Sequence, residues 1–155
     1  MTTLYIIQGF LGAGKTTYSL KLAKEVNAIR YNADEWVMRD FCHQQQLDDW
    51  EECFAKATRA IWVEAEKAVK LNKQSVILDF GFWTRESRMF AKHKAAEWDI
   101  QFKHYYLYVP DEILIERINK RTGPIADQNL KNFYKYKSIF EEPLSSEEFI
   151  KIDNY

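Results

Sequence analysis

Gly9-Phe10-Leu11-Gly12-Ala13-Gly14-Lys15-Thr16 is the stretch that decides the fold, because it matches the pattern G-x-x-x-x-G-K-T at every fixed position. Glycines let a backbone approach a phosphate without Cβ clashes, and the N–H groups of such a loop converge on that phosphate. The lysine neutralises phosphate charge, and the threonine hydroxyl is a ligand for Mg²⁺. The stretch therefore predicts a loop that binds ATP or another nucleoside triphosphate with Mg²⁺. The expected phosphate contacts are Gly12, Ala13, Gly14, Lys15, Thr16 and Thr17.

The segments around this loop alternate between strand and helix patterns. Short apolar runs predict strands at 4–8, 28–31, 75–79, 102–109 and 148–152. Apolar residues at helical spacing predict helices at 15–26, 35–41, 48–71, 84–98 and 110–121, and a further helix that begins at Asp127. This order predicts an α/β fold, a P-loop NTPase three-layer α/β/α sandwich with a five-stranded parallel sheet. A Gly-Pro break near the end of the fifth helix predicts a short helical lid at about 117–127.

Length and charge limit the classes of function. The chain has 155 residues, which favours a single domain over 1–155, and 46% of them are apolar, as in globular proteins. A net charge of −1 provides no overall positive field, so nucleic acid is an unlikely partner. The sequence shows neither a signal peptide nor an apolar run of the ~20 residues that span a bilayer, so we expect a cytoplasmic protein without membrane contact. The oligomeric state stays open.

Two aspartates follow or end predicted strands, where parallel sheets present ligand-binding residues. Asp79 ends the run Val76-Ile77-Leu78 and is expected to hold Mg²⁺ together with Thr16, or to contact the acceptor. Asp34 follows the second strand and is expected to take the proton of an acceptor hydroxyl, although a helix-capping role is an alternative. The sequence leaves open which of the two aspartates is the base.

Basic and aromatic residues complete the predicted site. Arg117 and Arg121 are four residues apart, on one helix face, and a lid carrying them would neutralise charge in the transition state. Arg39 is a candidate for binding an anionic part of the acceptor, although an exposed helical arginine is an equal interpretation. The aromatic residues Trp36, Phe82 and Trp83 flank the two strand ends and are expected to line the acceptor pocket.

Taken together, these motifs resemble the small P-loop kinases that include zeta-toxin kinases, chloramphenicol phosphotransferase and the kinase domain of phage polynucleotide kinase, an AAA_33-type group. The resemblance runs through the glycine loop, 32–35, 76–88, 116–121 and 140–143. It implies an ATP-dependent phosphotransferase with a small-molecule acceptor, catalytic roles for Lys15, Asp34, Arg117 and Arg121, and ATP and Mg²⁺ as cofactors. Members often carry an arginine where this chain has Val37, which disfavours recognition of a phosphorylated polynucleotide end.

Two other interpretations remain. The sequence of the loop up to Thr17 is also typical of metallochaperone GTPases. These proteins need a guanine motif, and the nearest match lacks the aspartate of that motif: Asn72-Lys73-Gln74-Ser75. The cysteines Cys42 and Cys53 stand too far apart for a C-x-C-C metal motif. A nucleotide-binding module that has lost catalysis is the third interpretation, and the retained aspartates and lid arginines argue against it.

Overall fold

The structure, a computed structural model, describes residues 1–41 and 49–155. In these residues five strands form one parallel sheet in the order β2-β3-β1-β4-β5. The strands are β1 Thr3–Gly9, β2 Ile29–Asn32, β3 Val76–Gly81, β4 Gln101–Tyr108 and β5 Ile150–Asp153. The fold class predicted from the sequence is confirmed.

Helices cover both faces of this sheet. They are α1 Lys15–Val26, α2 Ala33–Trp36 with a following π-helical turn Val37–Phe41, α3 Trp50–Asn72, α4 Arg85–Glu97, α5 Asp111–Asn119, α6 Pro124–Lys131 and α7 Phe133–Ile139. Helices α3 and α4 pack on one face, whereas α1, α5 and α7 pack on the other. No helix in 1–41 or 49–155 is both long enough and apolar enough to cross a membrane.

Strand β1 lies at the centre of the sheet and is buried along its whole length. Successive side chains of a strand point to opposite faces. Leu4 and Ile6 accordingly enter the core under α3 and α4, while Tyr5 and Ile7 enter the core under α1 and α5. The two cores fix the carboxyl end of β1, from which the glycine loop leaves.

Several element boundaries differ from those predicted. Strand β3 continues to Gly81, because it keeps pairing with β1 past an irregularity in register, so Asp79 lies inside the strand and not beyond it. Helix α6 begins at Pro124, ahead of the predicted Asp127, since proline suits the first helical turn. The chain then breaks at Asn132, so the predicted single helix is two helices, α6 and α7. Cys42 and the predicted start of the long helix at Asp48 lie outside the described residues.

Candidate active site

The glycine loop connects β1 to α1 and has a strained backbone that glycine tolerates. Gly12 and Gly14 have φ angles of 80° and 85°, in the left-handed region that side chains disfavour. The Ala13 N–H donates to the Phe10 carbonyl at 3.1 Å, which closes the turn. Helix α1 has no acidic residue in its first turn, so its positive N-terminal end faces the loop without a competing carboxylate.

Lys15 lies at the start of α1 and bends back over the loop. Its Nζ donates to the carbonyl oxygen of Phe10 at 2.9 Å. Burial lowers the pKa of Lys15 below its ordinary value of 10.5, and the positive charge of Arg121 adds to this effect, while the carboxylates of Asp79 and Asp34 oppose it. The ammonium group is therefore within electrostatic range of both candidate aspartates.

Asp79 is held by three hydrogen bonds that all meet on one of its oxygens. Its Oδ2 accepts from Ser19 Oγ at 2.7 Å, from Asn32 Nδ2 at 3.0 Å and from Arg30 Nη2 at 3.2 Å. The other oxygen, Oδ1, is buried and has no hydrogen-bond partner among the described residues. An unpartnered buried carboxylate oxygen is unfavourable, and such atoms in native proteins mark a missing ion, water or ligand.

Asp34 lies in the first turn of α2 and stays accessible to solvent. The helix cap is Asn32, whose Oδ1 accepts from the Glu35 N–H at 2.9 Å, so capping does not account for Asp34. Crowding by the surrounding protein raises the pKa of Asp34; Lys15 opposes this shift, and the nearby carboxylates strengthen it. Asp34 is thus a solvent-accessible carboxylate near Lys15, with a raised proton affinity.

The predicted lid arginines occupy different environments. Arg117 sits on α5 and donates from Nη1 to the Gly12 carbonyl at 3.1 Å and from Nη2 to the Asn154 carbonyl at 2.7 Å. The Asn154 side chain in turn donates to the Ala13 carbonyl at 2.7 Å. Arg117 and the segment after β5 therefore brace the outer side of the glycine loop.

Arg121 follows α5, in the connection to α6, and is exposed. Its charge lowers the pKa of both Lys15 and Asp34. The guanidinium therefore lies close enough to act electrostatically on these two groups.

Trp36 and Arg39, in α2 and the π-helical turn after β2, form one surface feature. The Arg39 guanidinium stands 4.9 Å from the centre of the Trp36 ring, and Trp36 packs edge-on against Tyr31. Arg39 also donates to Asp40 at 2.6 and 2.8 Å, and its side chain is 63% exposed. Part of the charge of Arg39 is thus already neutralised by its neighbour.

Phe82 and Trp83, which are expected to line the acceptor pocket, pack in or against the two cores, and the pocket role stays a prediction. Phe82 is 4% exposed and stacks on Phe80. Trp83 packs against Phe10 and donates from Nε1 to the Gly9 carbonyl at 3.2 Å. Trp83 thus contacts the glycine loop, whereas Phe82 packs in the core under α3 and α4.

Sequence reasoning missed the polar residues that surround Asp79. Arg30 and Asn32 are two residues apart on β2, so they share one face of the strand and both reach Asp79. Ser19 joins them from the second turn of α1. The available signal was the spacing of Arg30 and Asn32, two polar residues that an extended strand places on one face. The sequence did not show that β3, which carries Asp79, lies next to that strand.

The residues present fit Mg²⁺. Mg²⁺ in kinases is held by one or two protein oxygens and the phosphates of the nucleotide, without a dedicated cage of side chains. Asp79 Oδ1 is an unpartnered buried carboxylate oxygen, and the exposed Thr16 stands at the start of α1. Among the described residues no cluster of three or more His, Cys, Asp or Glu forms a separate metal site.

Comparison with known proteins agrees with this geometry. The AAA_33 family (AAA domain) matches residues 4–143. The L-seryl-tRNA(Sec) kinase of Methanococcus maripaludis is 26% identical over 132 residues, which cover 85% of this chain and 51% of that protein, so the chain spans about half its length.

Solved structures share the fold. A sugar kinase from Janibacter sp. HTCC2649 has a TM-score of 0.68 at 19% identity, covering 99% of this chain and 86% of that one. A gluconokinase from Sinorhizobium meliloti 1021 has a TM-score of 0.67 at 14% identity, covering 99% and 82%. The family match extends from β1 to the segment that precedes β5. The chain therefore belongs to the AAA_33 family of small P-loop kinases.

Proposed function

We propose that this chain is an ATP-dependent phosphotransferase that moves the γ-phosphate of ATP to a hydroxyl of a small-molecule acceptor. The observation that carries the proposal is the pair of unlike carboxylates near Lys15. Asp79 is buried with one free oxygen, whereas Asp34 is accessible to solvent and has a raised pKa. Two carboxylates in such different environments suit a metal ligand and a proton acceptor.

The nucleotide side uses the glycine loop. Backbone N–H groups of the loop and the N-terminus of α1 bind the phosphates, and Lys15 leaves the Phe10 carbonyl to contact the β- and γ-phosphates. Asp79 and Thr16 would hold Mg²⁺, which supplies charge neutralisation at the transferring phosphate when bound. The remaining work, orientation of the acceptor and removal of its proton, falls to this chain's other side chains.

Asp34 is the proposed general base. As the acceptor oxygen forms its bond to the γ-phosphorus, the bond from that phosphorus to the β-phosphate oxygen breaks, and the hydroxyl proton moves to Asp34. ADP leaves with the bonding electron pair. Because Asp34 is not engaged in capping α2, its carboxylate is available for this transfer.

Arg121 is the better candidate of the two arginines for stabilising transition-state charge. It is exposed on the α5–α6 connection and acts electrostatically on both Lys15 and Asp34. Arg117 donates hydrogen bonds to two main-chain carbonyls. It would have to break these bonds and contact phosphate oxygens instead to serve in catalysis. We propose that residues 117–127 act as the lid of a single domain, with Arg121 as its catalytic charge and Arg117 as its anchor on the loop.

The acceptor is proposed to bind beside α2, where Trp36 offers an apolar face and Arg39 a partly neutralised cation. A second candidate acceptor is a hydroxyl carried on RNA, because the curated relative is named for a seryl-tRNA substrate. The expectation that nucleic acid is no partner therefore stays a prediction. Parallel assays with hydroxylated metabolites and with serylated tRNA separate the two acceptors.

ATP is proposed over GTP as the phosphate donor. The segment nearest to a guanine motif, Asn72 to Ser75, runs from the last residue of α3 to the residue before β3, and its Lys73 carbonyl accepts from the Thr2 hydroxyl. That is the amino-end edge of the parallel sheet, opposite the edge that carries the glycine loop. Titration calorimetry with each nucleotide and Mg²⁺ tests the choice, and tighter binding of GTP would overturn it.

The test of catalysis is Asp34→Asn. We expect it to lower turnover on a confirmed acceptor by about 10²- to 10⁴-fold, the usual contribution of a general base. ATP affinity should change much less than turnover, because no hydrogen bond joins Asp34 to the glycine loop among the described residues. Full turnover by Asp34→Asn would remove Asp34 from the mechanism, and Asp99→Asn, in the exposed turn between α4 and β4, is the matched control.

A further inference from the structure

Arg30 lies on the edge strand β2 and is nearly buried, with 8% of its side chain exposed. Its Nε donates to Ser19 Oγ at 2.6 Å and its Nη2 to Asp79 Oδ2 at 3.2 Å. Its Nη1 donates to both oxygens of Glu35, at 3.0 and 3.1 Å. One guanidinium therefore connects α1, β3 and α2 around the proposed Mg²⁺ ligand.

These bonds determine which oxygen of Asp79 remains available. Arg30, Ser19 and Asn32 all approach Oδ2, and Oδ1 is left without a partner among the described residues although it is buried. A carboxylate held on one side by a cation and two neutral donors has a fixed orientation. The arrangement thus reserves Oδ1 for a ligand that the protein itself does not supply.

Arg30 also competes with Lys15 for Asp79. Among the neighbouring charges, that of Asp79 has the largest effect on the pKa of Lys15. In the structure, however, the Lys15 ammonium donates to the Phe10 carbonyl, and Arg30 forms the ion pair with Asp79. Without Arg30, Asp79 would keep only neutral donors, and a buried charge without a counter-charge is strongly unfavourable. Because Lys15 and Asp79 attract each other, Lys15 is the cation that could pair with Asp79 in place of Arg30.

We propose that Arg30 is a positioning residue that holds Asp79 on Oδ2, so that Oδ1 stays available to Mg²⁺ and Lys15 stays available to ATP. This inference rests on the proposed function, since it assigns a role toward Mg²⁺·ATP. Glu35 offsets the positive charge that Arg30 brings near the metal ligand, because it accepts two hydrogen bonds from the same guanidinium. Glu35 therefore reduces the repulsion between Arg30 and Mg²⁺.

The test is the gain in ATP affinity that Mg²⁺ gives, measured by titration calorimetry of the whole chain with ATP in Mg²⁺ and in EDTA. We expect Arg30→Met to reduce this gain by about tenfold, within the range of coupling between residues in contact. Asp79→Asn should abolish most of the gain, and Arg30→Met combined with Asp79→Asn should lose no more than Asp79→Asn alone. That non-additivity is the signature of a residue that acts through Asp79.

Two further variants separate positioning from folding. Arg88→Met removes another buried arginine, one that bonds Glu147 and two main-chain carbonyls but not Asp79, and should lower the melting temperature without changing the gain from Mg²⁺. Arg30→Lys keeps the charge but cannot serve Ser19, Asp79 and Glu35 together, so it should lose part of the gain if Arg30→Met does not fold.

The outcomes against the proposal are distinct. An unchanged gain in Arg30→Met and Arg30→Lys, a larger gain, or additive losses with Asp79→Asn would each overturn the positioning role while leaving the kinase proposal intact. Failure of the unaltered chain to bind ATP in Mg²⁺ would instead overturn the proposed function.

Discussion

The pKa values of Asp34 and Lys15 are shifted toward each other. The pH range in which Asp34 is ionised and Lys15 is protonated is therefore narrower than for the two side chains in water. Crowding by the surrounding protein raises the pKa of Asp34 above its ordinary 3.8, and burial lowers the pKa of Lys15 below 10.5. The proposed mechanism needs Asp34 ionised and Lys15 protonated. Activity should therefore be lost as the pH falls through the raised pKa of Asp34, and again as it rises through the lowered pKa of Lys15.

The measurement is kcat/KM for the acceptor as a function of pH at saturating Mg²⁺·ATP. Saturation keeps changes in nucleotide binding from contributing to the loss of activity at low pH. We expect the acid limb to lie above the ordinary range of an aspartate, and Glu35→Gln to move it to lower pH, since the Glu35 charge helps to raise the pKa of Asp34. An acid limb at or below the ordinary pKa of an aspartate would contradict the assignment of Asp34 as base.

Residues that belong to one contiguous motif were predictable, and those assembled across strands were not. Lys15 and Thr16 follow from the spacing of the loop, and Asp34 and Asp79 from the position of strand ends. The role of Arg30 depends on β2 lying beside β3, a neighbour relation that sequence periodicity does not encode. Roles for all of these residues stay proposals, while their placement is observed.

At the scale of elements, helices with strong signals were predicted well and helices at breaks were not. Helix α1 has the predicted bounds, because the loop fixes its start and Asn27, in the left-handed region, ends it. The α6–α7 pair was predicted as one helix, since apolar spacing continues across Asn132. The packing of Phe82 and Trp83 in or against the cores was not predicted, because sequence gives no direction for side chains in the turn after β3.

The contact between the glycine loop and the segment after β5 leads to a prediction about these two elements. A Cβ on Gly14 would lie 2.5 Å from Asn154 Nδ2, and φ is 85° there. We expect Gly14→Ala to lower the free energy of unfolding by about 1–3 kcal/mol, from backbone strain and displacement of Asn154. Adding Asn154→Ala should remove the steric part, so the double variant should be more stable than the sum of the single changes implies.

Urea denaturation of the single and double variants measures this coupling. Gly123→Ala is the matched control, because Gly123 also has positive φ but has nothing within 4 Å of the added Cβ. It should be strained in itself and show no coupling to Asn154→Ala. Additive losses for Gly14 and Asn154 would mean that the two elements are energetically independent.

At the scale of the whole molecule, a buried polar network ties the sheet to the segment between α7 and β5. Arg88 donates to both oxygens of Glu147, at 2.7 and 3.0 Å, and to the Glu141 carbonyl. Gln8 donates to that same carbonyl and, through its Oε1, contacts His104 Nε2 at 2.7 Å. These partners are up to 133 residues apart in the chain, which is why no local pattern predicted them.

His104 makes this network sensitive to acid. Burial lowers the pKa of His104 to about 4, and the nearby Arg88 adds to the effect. Because Gln8 Nε2 donates to the Glu141 carbonyl, its Oε1 faces the histidine, and the neutral ring therefore carries its proton on Nε2. Between pH 6.5 and 4 the unfolded chain binds a proton at this position that the folded chain does not.

We therefore expect stability to fall as the pH is lowered from about 6.5 to 4, by at most about 3 kcal/mol from this residue. His104→Gln keeps a donor toward Gln8 and cannot be protonated, so the difference between it and the unaltered chain in urea denaturation should shrink or reverse across that window. His93→Gln, at an exposed position on α4, is the control and should follow the unaltered chain. Parallel pH dependences for all three proteins would show that His104 is protonated in the folded state as readily as in the unfolded one, and that burial does not hold it neutral.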